Sequence, residues 1–416
     1  MKNFTNSDNL GKFSFLLLSI SLFAGFYFNE TASGIGAKAD FYNYWPWVLD
    51  LKDNFYIPGT KYGTLHLPLH YMILSKLNLV FTDTYFLRLF FCCISIFVPF
   101  LFYLNLKIKF QSIEENKLWL LASLTFLFPS FRYSSIWANG HITALIFFLL
   151  STLFFLKWLE KRNYETLSLN LILQVIFLSL AVYTRQYYAL FFIYLMIVYF
   201  QKLKLNTFIK LALVILVLSL PGFWIIYSSP SILKVTFSKE ISSSLLINTS
   251  IMAFYLIPIF ACLFINNRKI FNNKKRQLLI LTFFSILLVC FLSLLFEYNF
   301  KIGGGFFLKL SVIMFKNNFL FYLTSIIGFI LLSYLSIEDK NNFILIIILL
   351  IGFSAYMIFQ KYFEPMFFFI FFLIFNSKLA PEFLKNYKNL LYLYVYIFFY
   401  FASSIINDFL SITANL

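Results

Sequence analysis

Apolar stretches long enough to cross a bilayer recur along almost the whole chain. They lie at approximately 13–29, 86–106, 118–131, 141–156, 167–183, 187–200, 211–228, 247–265, 277–296, 313–335, 343–359, 366–376 and 390–406. Hydrocarbon offers no hydrogen-bond partners, so a segment inside it must satisfy its own backbone, which an α-helix does. The pattern therefore predicts an all-α polytopic membrane protein of about 11–14 spans. Composition agrees: 61% of the 416 residues are hydrophobic and 12% charged, where soluble domains carry roughly one-quarter charged residues. The 60 phenylalanines read as lipid-facing and packing surface, because Phe is favourable at the centre of a spanning helix.

A net charge of +16 raises the question of nucleic acid, but the basic residues cluster in short connections, where they report topology. Alternate loops, taken as 1–12, 107–117, 157–166, 201–210, 266–276, 336–342 and 376–389, hold 20 of the 33 Lys and Arg against 8 acids. These are expected on the cytoplasmic side, with the N-terminus. The first stretch, with Ala37-Lys38-Ala39 far downstream of it, reads as an uncleaved first helix rather than a signal peptide. Cys92, Cys93, Cys262 and Cys290 all fall in apolar stretches and lack disulfide or zinc spacing. Residues 1–416 read as a single transmembrane domain, interrupted only by a first outer loop over 30–85 that is dense in Trp, Tyr and Pro. Its part from Leu65 to Phe81 has the pattern of an interfacial helix.

Ionisable residues at or near membrane depth are costly unless they face a cavity or a partner, so they are the candidates for function. On the expected outer side these are Asp40, Asp50, Asp53, Lys61, His66 and His70 in the first loop, then Arg132, His141, Arg185, Lys361 and Glu364. His66 and His70 have the i, i+4 spacing of a metal pair on a helix face, but Pro68 between them argues against a regular helix there. His141 reads as a satisfied interfacial histidine, and Gly303-Gly304-Gly305 as a flexible outer segment, since it lacks the strand–turn–helix context of a phosphate loop.

The segment Lys38-Ala39-Asp40-Phe41-Tyr42-Asn43-Tyr44-Trp45, just after the first span, resembles the first outer loop of the GT-C glycosyltransferases, which use lipid-phosphate sugars. Pro58-Gly59-Thr60-Lys61-Tyr62-Gly63-Thr64-Leu65-His66-Leu67-Pro68-Leu69-His70-Tyr71 looks like the Thr/Pro/Leu/Tyr stretch of that loop. Tyr183-Thr184-Arg185-Gln186 is similar to the Arg-Gln element of the dolichyl-phosphate-glucose α-1,2-glucosyltransferases, and Gln360-Lys361-Tyr362-Phe363-Glu364-Pro365 to a basic-Tyr-Phe-x-x-Pro element before a late helix. The chain departs from the family where its paired acid, Asp-Glu, appears as Asp40-Phe41, where Lys361 replaces Arg, and where Pro365 falls one place early.

The resemblance implies a GT-C-like fold with interfacial helices on the first outer loop. It also implies transfer of a sugar from a polyprenyl- or dolichyl-phosphate donor to a glycan, lipid or protein acceptor, with inversion. Asp40 would be the base, Arg185, Lys61 and Lys361 would face the donor phosphate, and Tyr42, His66, His70, His141, Gln186, Tyr362 and Glu364 would contribute to substrate binding. It implies no cofactor and leaves a divalent metal open. The site would lie on the periplasmic side of a prokaryotic inner membrane or the lumenal side of the endoplasmic reticulum. A transporter or flippase of a lipid-linked saccharide, or a polysaccharide polymerase or ligase, stands as the alternative.

The charge asymmetry predicts that 268–276 and 30–85 face opposite sides. Single-cysteine labelling in a cysteine-free background should reach the two segments from opposite sides of the membrane. Labelling of both from one side would overturn the topology.

Overall fold

The computed structural model of the protein describes residues 9–31, 36–58, 61, 66–162, 164–229, 241–272, 275–298, 303–353 and 357–413. Among these the regular structure is helical, with no β-strand. Two compact units make up the chain, one from residues 1–233 and 397–416 and the other from 234–396.

The first unit contains α1 (Leu10–Tyr27), α2 (Gly36–Asp50), α3 (Leu69–Val80), α4 (Thr84–Ser95), α5 (Phe97–Lys109), α6 (Glu115–Ser123), α7 (Pro129–Ile136), α8 (Gly140–Lys161), α9 (Leu169–Thr184), α10 (Leu190–Lys202) and α11 (Leu205–Ser228). The second contains α12 (Ile241–Asn266), α13 (Lys275–Ser293), α14 (Gly305–Phe315), α15 (Phe319–Glu338), α16 (Lys340–Ile351), α17 (Met366–Leu373) and α18 (Leu379–Leu384). The last helix, α19 (Tyr387–Thr413), has residues in both.

Among the described residues, eight helical segments are long and apolar enough to cross a membrane: α1, α4 with α5, α8, α11, α12, α13, α15 and α19. That fits an integral multi-pass membrane protein, and α9, α14 and α16 are shorter apolar helices. Long and shorter apolar helices together number eleven among the described residues, and several of the expected stretches are interrupted for local reasons. Residues 118–131 are not one span: Pro129 forces an extended residue before it, Phe128 (φ −75°, ψ 119°), and so separates α6 and the single turn Leu124–Leu127 from α7. The stretch at 366–376 contributes only α17, whose eight residues are all buried and rise about 12 Å, a core helix rather than a span. Lys316, at φ 55°, ends α14 and breaks the stretch at 313–335. Pro99 marks the break between α4 and α5, because its ring crowds the carbonyl four residues back, that of Ser95.

In the first unit α1 packs on α6 and α7, and α8 lies between α5 and α9. Buried amides stitch these contacts, with Asn105 donating to the Leu149 carbonyl at 3.0 Å and Gln174 to the Ser151 hydroxyl at 3.0 Å. On α2 the buried residues Phe41, Tyr44, Trp47 and Val48 form one stripe at helical spacing. It meets α3 through Trp47 and Tyr71, whose rings lie 4.4 Å apart. Within the stretch 65–81 a helix is present as α3, starting after Pro68, and a second helix, α2, precedes it. The second unit is built on α12 and α15, where Ser250 and Thr324 hydrogen-bond at 2.9 Å. Gly328 allows this approach, since a Cβ there would lie 2.6 Å from the Thr249 carbonyl.

Arg132 is spent inside this scaffold. Its Nε donates to Glu30 Oε1 at 2.8 Å and its Nη2 to Oε2 at 2.7 Å, while Nη1 and Nη2 also reach the Ser21 hydroxyl and carbonyl. The candidate cation of the sequence is thus half of a buried pair that pins the end of α1 to α7. Replacing Arg132 by Met leaves Glu30 unpaired in a largely buried place, and should lower unfolding stability by about 3–5 kcal/mol. Thermal unfolding in detergent checks this, with Glu30→Gln/Arg132→Met expected to recover part of the loss.

Candidate functional site

The tight reversal Trp137-Ala138-Asn139 between α7 and α8 is where the first unit gathers its polar side chains. Ala138 has φ 45°, and the turn is closed by the Asn139 N–H donating to the Ser134 carbonyl at 2.8 Å. The Ala138 carbonyl accepts two hydrogen bonds, from the Tyr44 hydroxyl of α2 at 2.8 Å and from His70 Nε2 of α3 at 2.9 Å. A carbonyl only accepts, so Nε2 carries the imidazole proton and Nδ1 is free to accept from the Thr143 hydroxyl at 2.9 Å. His70 is therefore the neutral Nε2–H tautomer. Burial, with Arg185 nearby, pushes its pKa down to about 3.

Asn139 is the N-cap of α8, its side-chain oxygen accepting from the His141 N–H at 3.2 Å. The same oxygen accepts from Arg185 Nη2 at 2.7 Å. Arg185 follows the last turn of α9 in extended conformation and is 6% exposed. Its Nε is sealed without a hydrogen-bond partner, and Nη1, which reaches solvent, has none among the described residues. Gly140 opens α8 where a side chain would be tight. A Cβ there would lie 3.2 Å from the His70 ring and 3.5 Å from Arg185 Nε.

Asp40 is half-buried on α2, one turn before Tyr44. Burial raises the pKa of the Tyr44 hydroxyl well above its ordinary value, and the negative charges of Tyr71 and Asp40 add to this, while Arg185 and Arg88 oppose it. Asp40 and both arginines are thus within electrostatic reach of one buried phenol. The structure brings His70 and Arg185 together here, with Asp40 one turn before Tyr44 on α2, His141, whose Nδ1 lies 3.3 Å from the Tyr187 hydroxyl, and Gln186 on the single turn after Arg185.

Other expected residues sit elsewhere. Lys61 is exposed and pairs with Asp50 at 3.6 Å. His66 precedes α3 and shares no helix face with His70, as Pro68 implies. Tyr42 is exposed on α2, its ring 6.3 Å from that of Trp137. Gly59, Thr60 and Tyr62 to Leu65, which carry much of the family-like loop pattern, lie outside the described residues.

Lys361, Tyr362 and Glu364 belong to the second unit. Glu364 is buried and accepts from the Tyr255 hydroxyl at 2.8 Å; Gln360 donates to the same hydroxyl oxygen at 3.0 Å and accepts from the Phe306 N–H at 3.2 Å. Lys361 holds its ammonium 5.1 Å from the Phe359 ring, and Tyr362 packs on the same ring. The triple glycine is a defined turn rather than a flexible segment. Gly303 to Gly305 all have φ between 78° and 84°, a conformation glycine adopts without steric cost, and the Gly304 N–H donates to the Ile358 carbonyl at 2.8 Å.

Sequence reasoning missed Arg88, Tyr44, Thr143, Asn139 and Tyr255. Only Arg88 left a signal, as a lone charge near the start of an apolar stretch. No family model, curated protein or solved structure matches the chain.

The folded pKa of His70 lies below its unfolded value, so the unfolded chain takes up the proton first. Its contribution to stability is complete above about pH 6.5 and is lost as pH falls toward 3, at no more than about 1.4 kcal/mol per pH unit. Thermal midpoints measured from pH 7 to 4.5 should therefore fall more steeply for the wild type than for His70→Gln. Equal slopes would mean that His70 is not held neutral.

Proposed function

We propose that the protein is a membrane glycosyltransferase of the GT-C type, moving a sugar from a polyprenyl-phosphate donor to a hydroxyl of a lipid-linked glycan, lipid or protein acceptor. Arg185 carries this reading. A buried guanidinium is expensive unless its donors are met, and here one nitrogen is bound to Asn139 while Nη1 opens to solvent. A phosphate fits the open side of that fork. The N-terminus of α8 adjoins it, and the positive end of that helix dipole favours the same negative charge.

The sugar–phosphate bond has a good leaving group. In the proposed reaction the acceptor oxygen forms a bond to the anomeric carbon as the carbon–oxygen bond to phosphate breaks. The bonding pair leaves with the polyprenyl phosphate, and the acceptor proton passes to the Asp40 carboxylate. A single displacement inverts the anomeric centre, because no second carboxylate is needed as a nucleophile. Arg185 stabilises the negative charge that grows on the departing phosphate. His70, neutral and hydrogen-bonded at both nitrogens, lies near Arg185 without adding a second positive charge.

The arrangement of the loop supports the family reading: two helices, α2 and α3, follow the first long helix, and Asp40 stands on the first of them. The basic helix ends Lys107, Lys109, Lys161 and Lys202 are all at the far end of α5, α8 and α10 from the Trp137–Asn139 turn. Under the positive-inside rule this charge asymmetry supports a site on the non-cytoplasmic face.

Asp40→Asn keeps the shape and removes the base; it should lower turnover of polyprenyl-phosphate sugars at least about 100-fold while sparing donor binding. Arg185→Lys keeps the charge but loses the fork, and should weaken donor binding. Turnover and donor titrations on the purified variants decide the matter: near-normal turnover of Asp40→Asn would remove the base, and unchanged donor affinity in Arg185→Lys would remove the phosphate site.

A further inference from the structure

Arg88 is the second arginine at the Trp137–Asn139 turn, and the reaction proposed above does not use it. It is 6% exposed. Its Nε donates to the Ile136 carbonyl at 3.0 Å and its Nη2 to the Asn29 side chain at 3.1 Å. The guanidinium carbon lies 3.6 Å from the centroid of the Trp137 ring, a close cation–π stack. No carboxylate pairs with Arg88 among the described residues, and its Nη1 reaches solvent with no partner among them.

A second cation approaches the same indole from another element. The Lys38 ammonium is 5.8 Å from the Trp137 centroid. The two charges are thus no farther apart than about 9 Å, a gap that one phosphate group, accepting a hydrogen bond on either side, can bridge. Lys38 lies in the first turn of α2, and that turn holds no acidic residue. A cation at the positive end of a helix is the unfavourable placement, and an anion beside it reverses the sign. The indole that both cations approach is held in place, its Nε1 donating to the Glu30 carbonyl at 3.0 Å.

We propose that Arg88, Lys38 and the first turn of α2 form a binding site for a phosphate monoester group at Trp137, separate from Arg185. The two arginines flank the turn on opposite sides in sequence, Arg88 gripping Ile136 and Arg185 gripping Asn139. A phosphate is favoured over a carboxylate because its three terminal oxygens can accept from a guanidinium, an ammonium and backbone N–H groups at once. Tyr42, exposed beside Trp137 on α2, offers an apolar ring to whatever the phosphate is attached to. The site does not depend on the glycosyl-transfer reading and is tested without turnover.

Calorimetric titration of the full-length protein in nonionic detergent, in an Arg185→Gln background that silences the other candidate cation, isolates this site. Farnesyl phosphate, inorganic phosphate and farnesol are the probes. Farnesyl phosphate should bind, with affinity falling about tenfold in Lys38→Ala and further in Lys38→Glu, a size expected for losing one charge-assisted hydrogen bond. Arg88→Lys should weaken it too; because Arg88 also braces Ile136 and Asn29, the exposed Lys38 variants carry the decision if that protein does not fold. Inorganic phosphate binding as tightly as farnesyl phosphate identifies a free phosphate as the ligand, and much weaker binding identifies a lipid headgroup; each supports the site. Farnesol binding as well as farnesyl phosphate, or equal affinities in the parent and both Lys38 variants, would overturn it.

Discussion

The Ala138 carbonyl organises the first unit. It accepts from both Tyr44 and His70, one on each helix of the first loop. In a buried setting each of those donors would cost a few kcal/mol if left unmet. Satisfying both from one oxygen uses its two lone pairs and ties α2 and α3 to the α7–α8 reversal. The positive φ of Ala138 is sparsely populated for a residue with a side chain. The hydrogen bonds on its carbonyl and on the next N–H hold it there. Everything placed on α2, including Asp40 and Lys38, inherits its position from this junction.

Three arginines surround the junction and meet three different fates. Arg132 is neutralised by Glu30, Arg88 is stacked on Trp137, and Arg185 leans on the neutral amide of Asn139. Only the first has its charge compensated by a carboxylate. The other two leave net positive potential around the turn, reinforced by the N-termini of α2 and α8. A neutral His70 near one of them keeps that potential from being raised further by a third buried cation.

Much of the helical framework was legible in the sequence because lipid imposes a crude requirement, length and apolarity, that a single stretch meets by itself. Where an expected stretch is not one long helix, the cause is local: Pro129 divides one stretch, and α17 is apolar because it is protein core, which composition does not distinguish from lipid-facing surface. The helix α2 was not foreseen. Its buried stripe is made of aromatic residues with Pro46 exposed in its middle, a pattern that only packing against α3 resolves. Of the candidate site, Asp40, His70 and Arg185 were visible as ionisable residues in costly places. Their convergence was not, since it runs through Ala138 and Asn139, which act partly by backbone and lie about 100 and 50 residues away in sequence. Arg132 shows the converse: burial of a charge marks it as important and leaves open whether it serves the scaffold or a ligand.

The seam between α12 and α15 bears on how the second unit enters the membrane. α12 carries Ser243, Ser244, Asn248, Thr249 and Ser250, all buried, and reaches across with them to the Glu297 carbonyl, the Leu350 carbonyl and the Thr324 hydroxyl. An isolated α12 in lipid would expose this face to hydrocarbon, and it would remain a poor guest there until its partners arrived. The acceptors it needs come from segments synthesised later in the chain, so α12 is the helix whose residence in the bilayer is provisional at first. Until those segments arrive, the polar face of α12 is the part of the second unit least suited to hydrocarbon.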